Sequence, residues 1–197
     1  MPEPRRYTTA TAFRAALETR LRQQAGGSQA SLGRLRRQVA FERLLARLFH
    51  EGEPPWLLKG GYALELRLGD TARATRDLDL GVPDPVRLTA SGANVGAALR
   101  EALADATERD LGDWFAFAVG EAMADLDGPP GGGARFPVTC RLDGRVFAQF
   151  HADVALGDGV AGQPEQLAGH DFLGFAGIPP AQLAVLPTAQ HFAEKIH

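Results

Sequence analysis

The sequence predicts an α/β fold in which helices flank a mixed β-sheet, and three observations lead to this prediction. Short apolar runs typical of buried strands lie between longer segments whose apolar residues recur every three or four positions. Clusters of glycine and proline separate these segments. The 197 residues are 45% hydrophobic, which is enough to bury the core of one domain with a small helical appendage.

Residues 1–52 are expected to form two helices that pack on the core. Apolar residues recur at every fourth position over residues 8–24, until Gly26 and Gly27 end the pattern. Ser31 is the expected N-cap of a second helix, whose apolar stripe continues until Gly52.

Residues 53–160 are expected to form the core itself. Its predicted elements are a strand (56–59), a turn at Gly60 and Gly61, a helix (62–68), a strand (78–82), a helix (88–109), a strand near Trp114, a loop (128–133) and a hairpin of strands 136–142 and 146–156 around Asp143 and Gly144. Because side chains alternate along a strand, Asp153 is expected to share one sheet face with Phe147, Gln149 and His151.

Residues 161–197 are expected to form a linker and the start of a C-terminal helical region. Residues 157–187 are rich in glycine and proline and are predicted to be irregular, and Thr188 caps a last helix. That helix meets no C-cap before His197, so we expect the chain to be a fragment of a longer protein.

Charge is distributed unevenly along the chain. The formal net charge is −3, yet the first fifty residues carry ten arginines against three glutamates. Such a basic segment favours a polyanion as partner, whereas the general alternative is that arginines only solvate helix faces. The arginines are Arg5, Arg6, Arg14, Arg20, Arg22, Arg34, Arg36, Arg37, Arg43 and Arg47.

Cysteine content and hydropathy predict a cytoplasmic protein that does not enter a membrane. The single cysteine, Cys140, excludes an internal disulfide framework. No stretch approaches the roughly 18 consecutive apolar residues that span a bilayer. The N-terminus lacks the apolar segment of a signal peptide.

Asp77 and Asp79 are the first candidates for chemistry. They lie two positions apart at the start of a strand, so both side chains point to one face, about 6.5 to 7 Å apart at the backbone. Hard carboxylate oxygens suit Mg²⁺, which prefers one or two carboxylates together with substrate phosphates. Asp153, on an adjacent strand, would add the third carboxylate of a two-ion site for phosphoryl or nucleotidyl transfer. The general alternative is a solvated acidic pair.

Gly60 and Gly61 add a second feature of the same chemistry. A glycine pair between a strand and a helix lets a phosphate approach the backbone N–H groups of the helix start, where the dipole favours negative charge. Lys59 and Arg76 stand beside the two motifs and are candidate phosphate ligands. Lys59 could equally extend to solvent, and Arg76 could pair with the aspartates.

These motifs resemble a known family. The runs WLLKGGYAL (56–64) and RATRDLDL (73–80) look like those of the AbiEii/AbiGii-type toxins, a branch of the DNA polymerase β-like nucleotidyltransferase superfamily, and AEKIH (193–197) is similar to a later conserved block. The resemblance implies a nucleotidyltransferase fold and transfer of a nucleotide from an NTP with Mg²⁺ as cofactor. It implies that Gly60 and Gly61 hold the triphosphate, that Asp77 and Asp79 bind Mg²⁺, that Asp153 is the third carboxylate, and that Lys195 contacts nucleotide phosphates.

Two departures from the family pattern bear on activity. The superfamily often has a serine directly after the first glycine, where this chain has Gly61, and the family usually continues into further helices beyond the block that contains Lys195. Thr75, two residues before Asp77, is a candidate for regulatory phosphorylation, because phosphate there would place about two negative charges where nucleotide and metal bind.

The resemblance also implies partners. It implies a toxin of a toxin–antitoxin system with a cognate antitoxin, and the basic N-terminal segment favours an RNA acceptor, the 3′ end of tRNA. Two alternatives stay open: transfer onto a protein or a small molecule such as an antibiotic, and a catalytically silent nucleotide- or RNA-binding scaffold.

Overall fold

The computed structural model describes residues 6–50, 55–69, 74–84, 94–125, 131–157 and 159–196, without the side chains of residues 124, 125, 195 and 196. In chain order the elements are α1 (Ala10–Gln24), α2 (Gln29–Leu48), β1 (Leu57–Lys59), α3 (Gly60–Leu68), β2 (Asp77–Val82), α4 (Val95–Thr107), β3 (Phe115–Val119), β4 (Ala124–Asp125), β5 (Gly133–Leu142), β6 (Arg145–Leu156), β7 (Glu165–Ala168), β8 (Gln182–Val185) and α5 (Thr188–Ile196).

One mixed sheet stands at the centre of the molecule, as the sequence predicts. Within the described residues it has eight strands in the order β3-β5-β6-β2-β1-β8-β7, with β4 paired to β5 beside this path. Strand β2 runs parallel to β6, and β1 runs parallel to β8, whereas β1–β2 and β5–β6 are antiparallel pairs. The two strands that carry the candidate aspartates, β2 and β6, are therefore direct neighbours.

Helix α2 supports the sheet through its apolar stripe. Phe41, which is fully buried, packs edge-on against Phe150 of β6 and against Tyr62 of α3. The helix begins earlier than the sequence suggests, because the side chain of Ser28 is the N-cap and accepts a hydrogen bond from the backbone N of Ser31. Ser31 thus lies inside the first turn of the helix.

Two arginines of the basic N-terminal segment are buried within the fold. Arg43 and Arg47 of α2 each contact Asp113 at 2.8 Å, and Asp113 is fully buried. Burial alone would raise the pKa of Asp113, but the hydrogen bonds and charges of Arg47 and Arg43 outweigh it and hold the pKa below its ordinary value. These arginines fasten α2 to the start of β3.

The β5–β6 hairpin confirms the predicted turn and shows one departure. Asp143 and Gly144 both have positive φ, 53° and 69°, as a two-residue hairpin turn requires. The pairing then shifts by one residue between Cys140 and Arg141, so that Phe147 has no partner in the register. Phe147 is consequently buried rather than on the polar face with Gln149.

Several predicted boundaries were wrong. Gly60 and Gly61 are the first residues of α3 rather than a turn before it. The segment 157–187, predicted to be irregular, contains β7 and β8, because the buried side chains of Leu183 and Val185 give β8 a place beside β1. The helix predicted over 88–109 is described only as α4, since residues 85–93 lie outside the described ranges, as do residues 126–130 of the predicted loop.

One hydrophobic core extends across the three predicted parts of the chain. It includes Leu17 and Val39 from residues 1–52, Leu80 from residues 53–160, and Leu183 from residues 161–197. The division into three parts stays a prediction. None of the helices in the described ranges has the length and apolar content needed to cross a membrane.

Candidate active site

Four polar side chains meet on one face of the sheet where β2 and β6 run side by side. In this parallel pair Asp77 lies opposite His151, and Asp79 lies opposite Asp153. Residues two apart on a strand share a face, so all four side chains project together. The Nδ1 atom of His151 lies 3.2 Å from Oδ1 of Asp77. The structure thus brings Asp153 to the aspartate pair, as its position on a strand predicted.

The N-terminus of α3 points directly at Asp79. The backbone N–H of Gly61 donates a hydrogen bond of 3.2 Å to Oδ2 of Asp79. Gly60 has a φ of +64°, and a Cβ atom built there would overlap the Asp79 carboxylate. Both the left-handed backbone and the close approach therefore require glycine at position 60.

Gly61 makes a second close approach, to Thr75. A Cβ atom at Gly61 would lie 2.7 Å from Oγ1 of Thr75. That hydroxyl donates a hydrogen bond of 3.0 Å to the backbone carbonyl of Asp77. The Thr75 hydroxyl therefore lies close to the place where a serine at position 61 would begin its side chain.

The electrostatic surroundings of Asp79 raise its pKa. Burial has the largest effect, and the neighbouring carboxylates of Asp153 and Asp77 raise the pKa further. The hydrogen bond from Gly61 and the charge of Lys59 lower it. Lys59 lies opposite Asp79 in the β1–β2 pair, which places its positive charge beside the site. Added positive charge at this position would favour the ionised carboxylate.

Arg135 is a site residue that the sequence analysis missed. It lies opposite Asp153 in the β5–β6 pair, and its Nε and Nη2 atoms bind the two carboxylate oxygens of Asp153 at 2.7 and 2.6 Å. Its Nη2 atom is also 3.8 Å from Oδ2 of Asp77. The hydrogen bonds and charge of Asp153, followed by the charges of Asp77 and Asp79, raise the pKa of Arg135.

The donor chemistry of the site partly suits a hard divalent cation. Asp77 and Asp79 present carboxylate oxygens on one face, which is the ligand type that Mg²⁺ prefers. Both oxygens of Asp153, however, are occupied by Arg135. In the described part of the chain no group of three or more His, Cys, Asp or Glu side chains is arranged to hold a metal ion. The metal roles of the three aspartates stay predictions.

Two clefts open on either side of Asp77. A cleft of about 740 Å³ is bordered by the start of α3 and by α2; its lining includes Ser31, Arg34, Gly61, Ala74 and Thr75. A cleft of about 470 Å³ lies over β5 and β6; its lining includes Arg135, Thr139, Gln149, Phe150 and His151. Arg37, Arg76 and Asp77 line both clefts.

The basic N-terminal segment divides between structural and cleft positions. Arg36 binds the carboxylate of Glu18 at 2.7 Å, and Arg14 donates to backbone carbonyls of the β5–β6 hairpin. Among the arginines of that segment that the structure describes, Arg34 and Arg37 line the clefts beside Asp77. Polyanion binding therefore stays a prediction for Arg34 and Arg37, whereas Arg14, Arg36, Arg43 and Arg47 bind other parts of the protein and do not merely solvate helix faces.

Lys195 lies in α5, but its side chain is outside the described part of the structure. Helix α5 is held in place by Glu165 of β7, which accepts hydrogen bonds of 2.8 Å from the backbone N and from Oγ1 of Thr188. Arg67 of α3 donates to the same carboxylate at 2.8 Å. The helix that carries Lys195 is therefore tied to the helix that begins at Gly60.

The family of the chain follows from a comparison with family models. The model of the nucleotidyl transferase AbiEii toxin of type IV toxin–antitoxin systems matches residues 43–197. The chain belongs to this family. A search of the curated proteins gave no match.

Membership of the AbiEii family fixes the general class of activity. The protein is a nucleotidyl transferase and the toxin type of a toxin–antitoxin system, so a nucleotide substrate and an antitoxin partner follow. The match starts within α2 and contains the whole sheet, so the glycine pair and the Asp77–Asp79 pair both lie inside the AbiEii region. The resemblance inferred from the motifs is confirmed.

Proposed function

We propose that this protein transfers a nucleoside monophosphate from an NTP to the 3′-terminal hydroxyl of an RNA, with tRNA as the favoured acceptor and pyrophosphate as the leaving group. The observation that carries the proposal is the convergence at Asp77, where two carboxylates, a helix N-terminus and several guanidinium groups border adjoining clefts. The reaction consumes NTPs, and we place it in the cytoplasm.

The larger cleft suits the triphosphate. The N-terminal turn of α3 opens there at Gly61, where the helix dipole favours a phosphate. Arg34, Arg37 and Arg76 line the same cleft, and guanidinium groups bind phosphate oxygens in a bidentate manner. Lys59 places a further positive charge beside Asp79. Together these groups would bind and orient the NTP, and Lys195 is proposed to add a phosphate contact.

Asp77 and Asp79 would hold Mg²⁺, which when bound supplies positive charge to the phosphoryl group and lowers the pKa of a coordinated hydroxyl. The chain's own contribution is to fix the two carboxylates. The N–H of Gly61 orients Asp79, and His151 orients Asp77 through the 3.2 Å contact between Nδ1 and Oδ1. Asp153 holds Arg135 between itself and Asp77.

The smaller cleft suits the acceptor. It joins the larger cleft at Arg37, Arg76 and Asp77, so a hydroxyl bound there would face the α-phosphate of the nucleotide. Its lining combines positive charge with the imidazole ring of His151 and the polar groups of Thr139 and Gln149. Phosphate, base and ribose can each find a suitable contact in such a lining.

The proposal is tested by incubating the protein with Mg²⁺, total tRNA and each α-labelled NTP in turn. Asp77→Asn and Asp79→Asn keep the side-chain shape and remove the charge, and Asp105→Asn on the exposed surface of α4 is the matched control. We expect label on RNA with the wild type and Asp105→Asn, and a loss of at least about a hundredfold with either site variant.

Other outcomes of this assay identify the alternatives. Label that appears on protein or on a small acceptor such as an aminoglycoside, with none on RNA, would refute the RNA part of the proposal. No label on any acceptor, with NTP binding retained, would indicate the silent scaffold. Arg34→Gln and Arg37→Gln should weaken RNA labelling and make it less steeply dependent on salt, because each removes a phosphate contact.

A further inference from the structure

Arg135 occupies the space between the first and third carboxylates of the site. Its guanidinium binds both oxygens of Asp153 and lies 3.8 Å from the nearer oxygen of Asp77. A cation that Asp77 and Asp153 shared would need the same place, because it would have to touch the same carboxylate oxygens. The positive charge at this place thus belongs to a side chain of the protein.

The contact between Arg135 and Asp153 is strong in geometry but open to solvent on one side. Two parallel N–H···O⁻ bonds of 2.6 and 2.7 Å make it bidentate, which is the strongest arrangement of this pair. The Arg135 side chain nevertheless retains 39% of its exposure and lines the smaller cleft, whereas Asp153 retains 15%. The arginine can therefore turn towards a ligand in the cleft, while the aspartate stays in place on β6.

We propose that Arg135 gates the third carboxylate: it withholds Asp153 from a divalent cation in the substrate-free protein and releases it when substrate phosphate takes over the guanidinium. A phosphate group is the natural competitor, since it offers the same paired oxygens as a carboxylate with more negative charge. The full set of carboxylates then becomes available only after substrate has bound. This inference rests on the proposed function, because it requires a divalent cation at Asp77 and Asp79.

The first test measures cation binding without substrate. Mn²⁺ is titrated into wild-type protein, Arg135→Gln, and Arg135→Gln combined with Asp153→Asn, and free Mn²⁺ is followed by electron paramagnetic resonance. Arg141→Gln is the matched control, because Arg141 is on the same strand and its side chain bonds only the hairpin carbonyl of Gly144 among the contacts described. Asp77→Asn identifies which Mn²⁺ binds at the site.

Arg135→Gln should bind Mn²⁺ at least about tenfold more tightly than the wild type, because a unit positive charge is lost from beside the Asp77 carboxylate and the carboxylate of Asp153 is gained. Adding Asp153→Asn should return the affinity to about the wild-type value, and Arg141→Gln should not change it. Arg135→Lys keeps the charge and loses the bidentate contact, so its affinity should lie in between. This variant keeps the test valid if Arg135→Gln fails to fold, which circular dichroism will show.

The second test follows the guanidinium itself. In protein labelled with ¹⁵N-arginine, the Nε–H signal that is missing in Arg135→Lys belongs to Arg135, and its shift should reflect the bond to Asp153. Addition of a non-hydrolysable NTP analogue with Mg²⁺ and a short RNA should move this signal. An unmoved signal under saturating conditions would refute release by substrate.

The outcomes separate the gate from the function on which it rests. If Mn²⁺ binding depends on Asp77 but is the same in the wild type and Arg135→Gln, the gate is refuted and the proposed function stands. The gate is also refuted if the tighter binding persists after Asp153→Asn is added. If no Mn²⁺ binding in any variant depends on Asp77, the metal part of the proposed function fails and the gate fails with it.

Discussion

Replacing Gly60 by alanine should separate the role of the glycine at the site from its role in the backbone. Gly60 has a φ of +64°, and a non-glycine residue in this region costs about 1 to 2 kcal/mol. An added Cβ would also overlap the carboxylate of Asp79, so either Asp79 or the start of α3 must move. Displacement of a site group by about 1 Å lowers activity by about a hundredfold.

Gly144→Ala is the matched control for this change. Gly144 has nearly the same backbone angle, φ +69°, but a Cβ there would meet no described atom within 4 Å. Both variants should lose about 1 to 2 kcal/mol of unfolding free energy from backbone strain, or roughly 2 to 8 °C in Tm for a domain of this size, and Gly60→Ala should lose more because its Cβ also displaces Asp79 or the start of α3. Only Gly60→Ala should lose transfer activity, by about a hundredfold.

The assay compares Tm from thermal unfolding with the initial rate of NTP-dependent labelling at a temperature well below both transitions. A large loss of rate in folded Gly60→Ala, with the rate of Gly144→Ala unchanged, would isolate the contact with Asp79. The reasoning is refuted if Gly60→Ala and Gly144→Ala have rates within about twofold of each other while both remain folded.

Three further predictions concern the surroundings of the site. Thr75→Glu should abolish nucleotide transfer, because a negative charge would enter the cleft that Thr75 lines. Thr75→Val adds no charge and should retain most of the activity. Full activity of Thr75→Glu would argue against regulation by phosphorylation. Asp113→Asn should lower the unfolding free energy by about 3 to 5 kcal/mol in urea titrations, because Arg43 and Arg47 would lose their buried, negatively charged partner. A change below about 1 kcal/mol would show that these ion pairs contribute little to stability. Hydrogen bonds from Thr188 and then from Arg67 lower the pKa of Glu165 from 4.5 to about 2. The stabilisation that the ionised Glu165 gives should therefore be complete above pH 4.5 and lost as the pH falls towards 2. Glu165→Gln should remove that part of the acid sensitivity of the unfolding free energy, and identical pH profiles of wild type and variant would contradict the prediction.

Local patterns in the sequence predicted much of the fold because the forces involved are themselves local. The alternation in β2, the positive-φ turn at Asp143 and Gly144, and the apolar stripe of α2 each depend on neighbouring residues. Strands β7 and β8 were missed because each has only four residues and gains its stability from pairing, with β8 lying beside β1. Such strands carry little periodic signal of their own.

The sequence also predicted that the candidate aspartates would lie together on one face of the sheet. Asp77 and Asp79 share a face because they are two apart on a strand, and a parallel neighbour could present Asp153 to them. Lys195 and the roles of the aspartates as metal ligands stay predictions. Sequence alone did not show which arginines border the candidate site. Arg34 and Arg37 reach it only through the packing of α2 beside α3. Arg43 and Arg47, on the same helix, are instead buried and paired with Asp113.

The position of Arg135 depends on tertiary structure and could not be predicted from the local sequence pattern. A two-residue turn at Asp143 and Gly144 in an unbroken hairpin would pair Arg135 with Ala152 and direct it to the core face. The extra residue at Phe147 shifts the register by one, and Arg135 then faces Asp153. The sequence determined that a glycine pair and two aspartates would lie together at a helix start, as a candidate site. The burial of Phe147, which packs against the aromatic ring of Phe115, accompanies the register shift that places an arginine beside the candidate site.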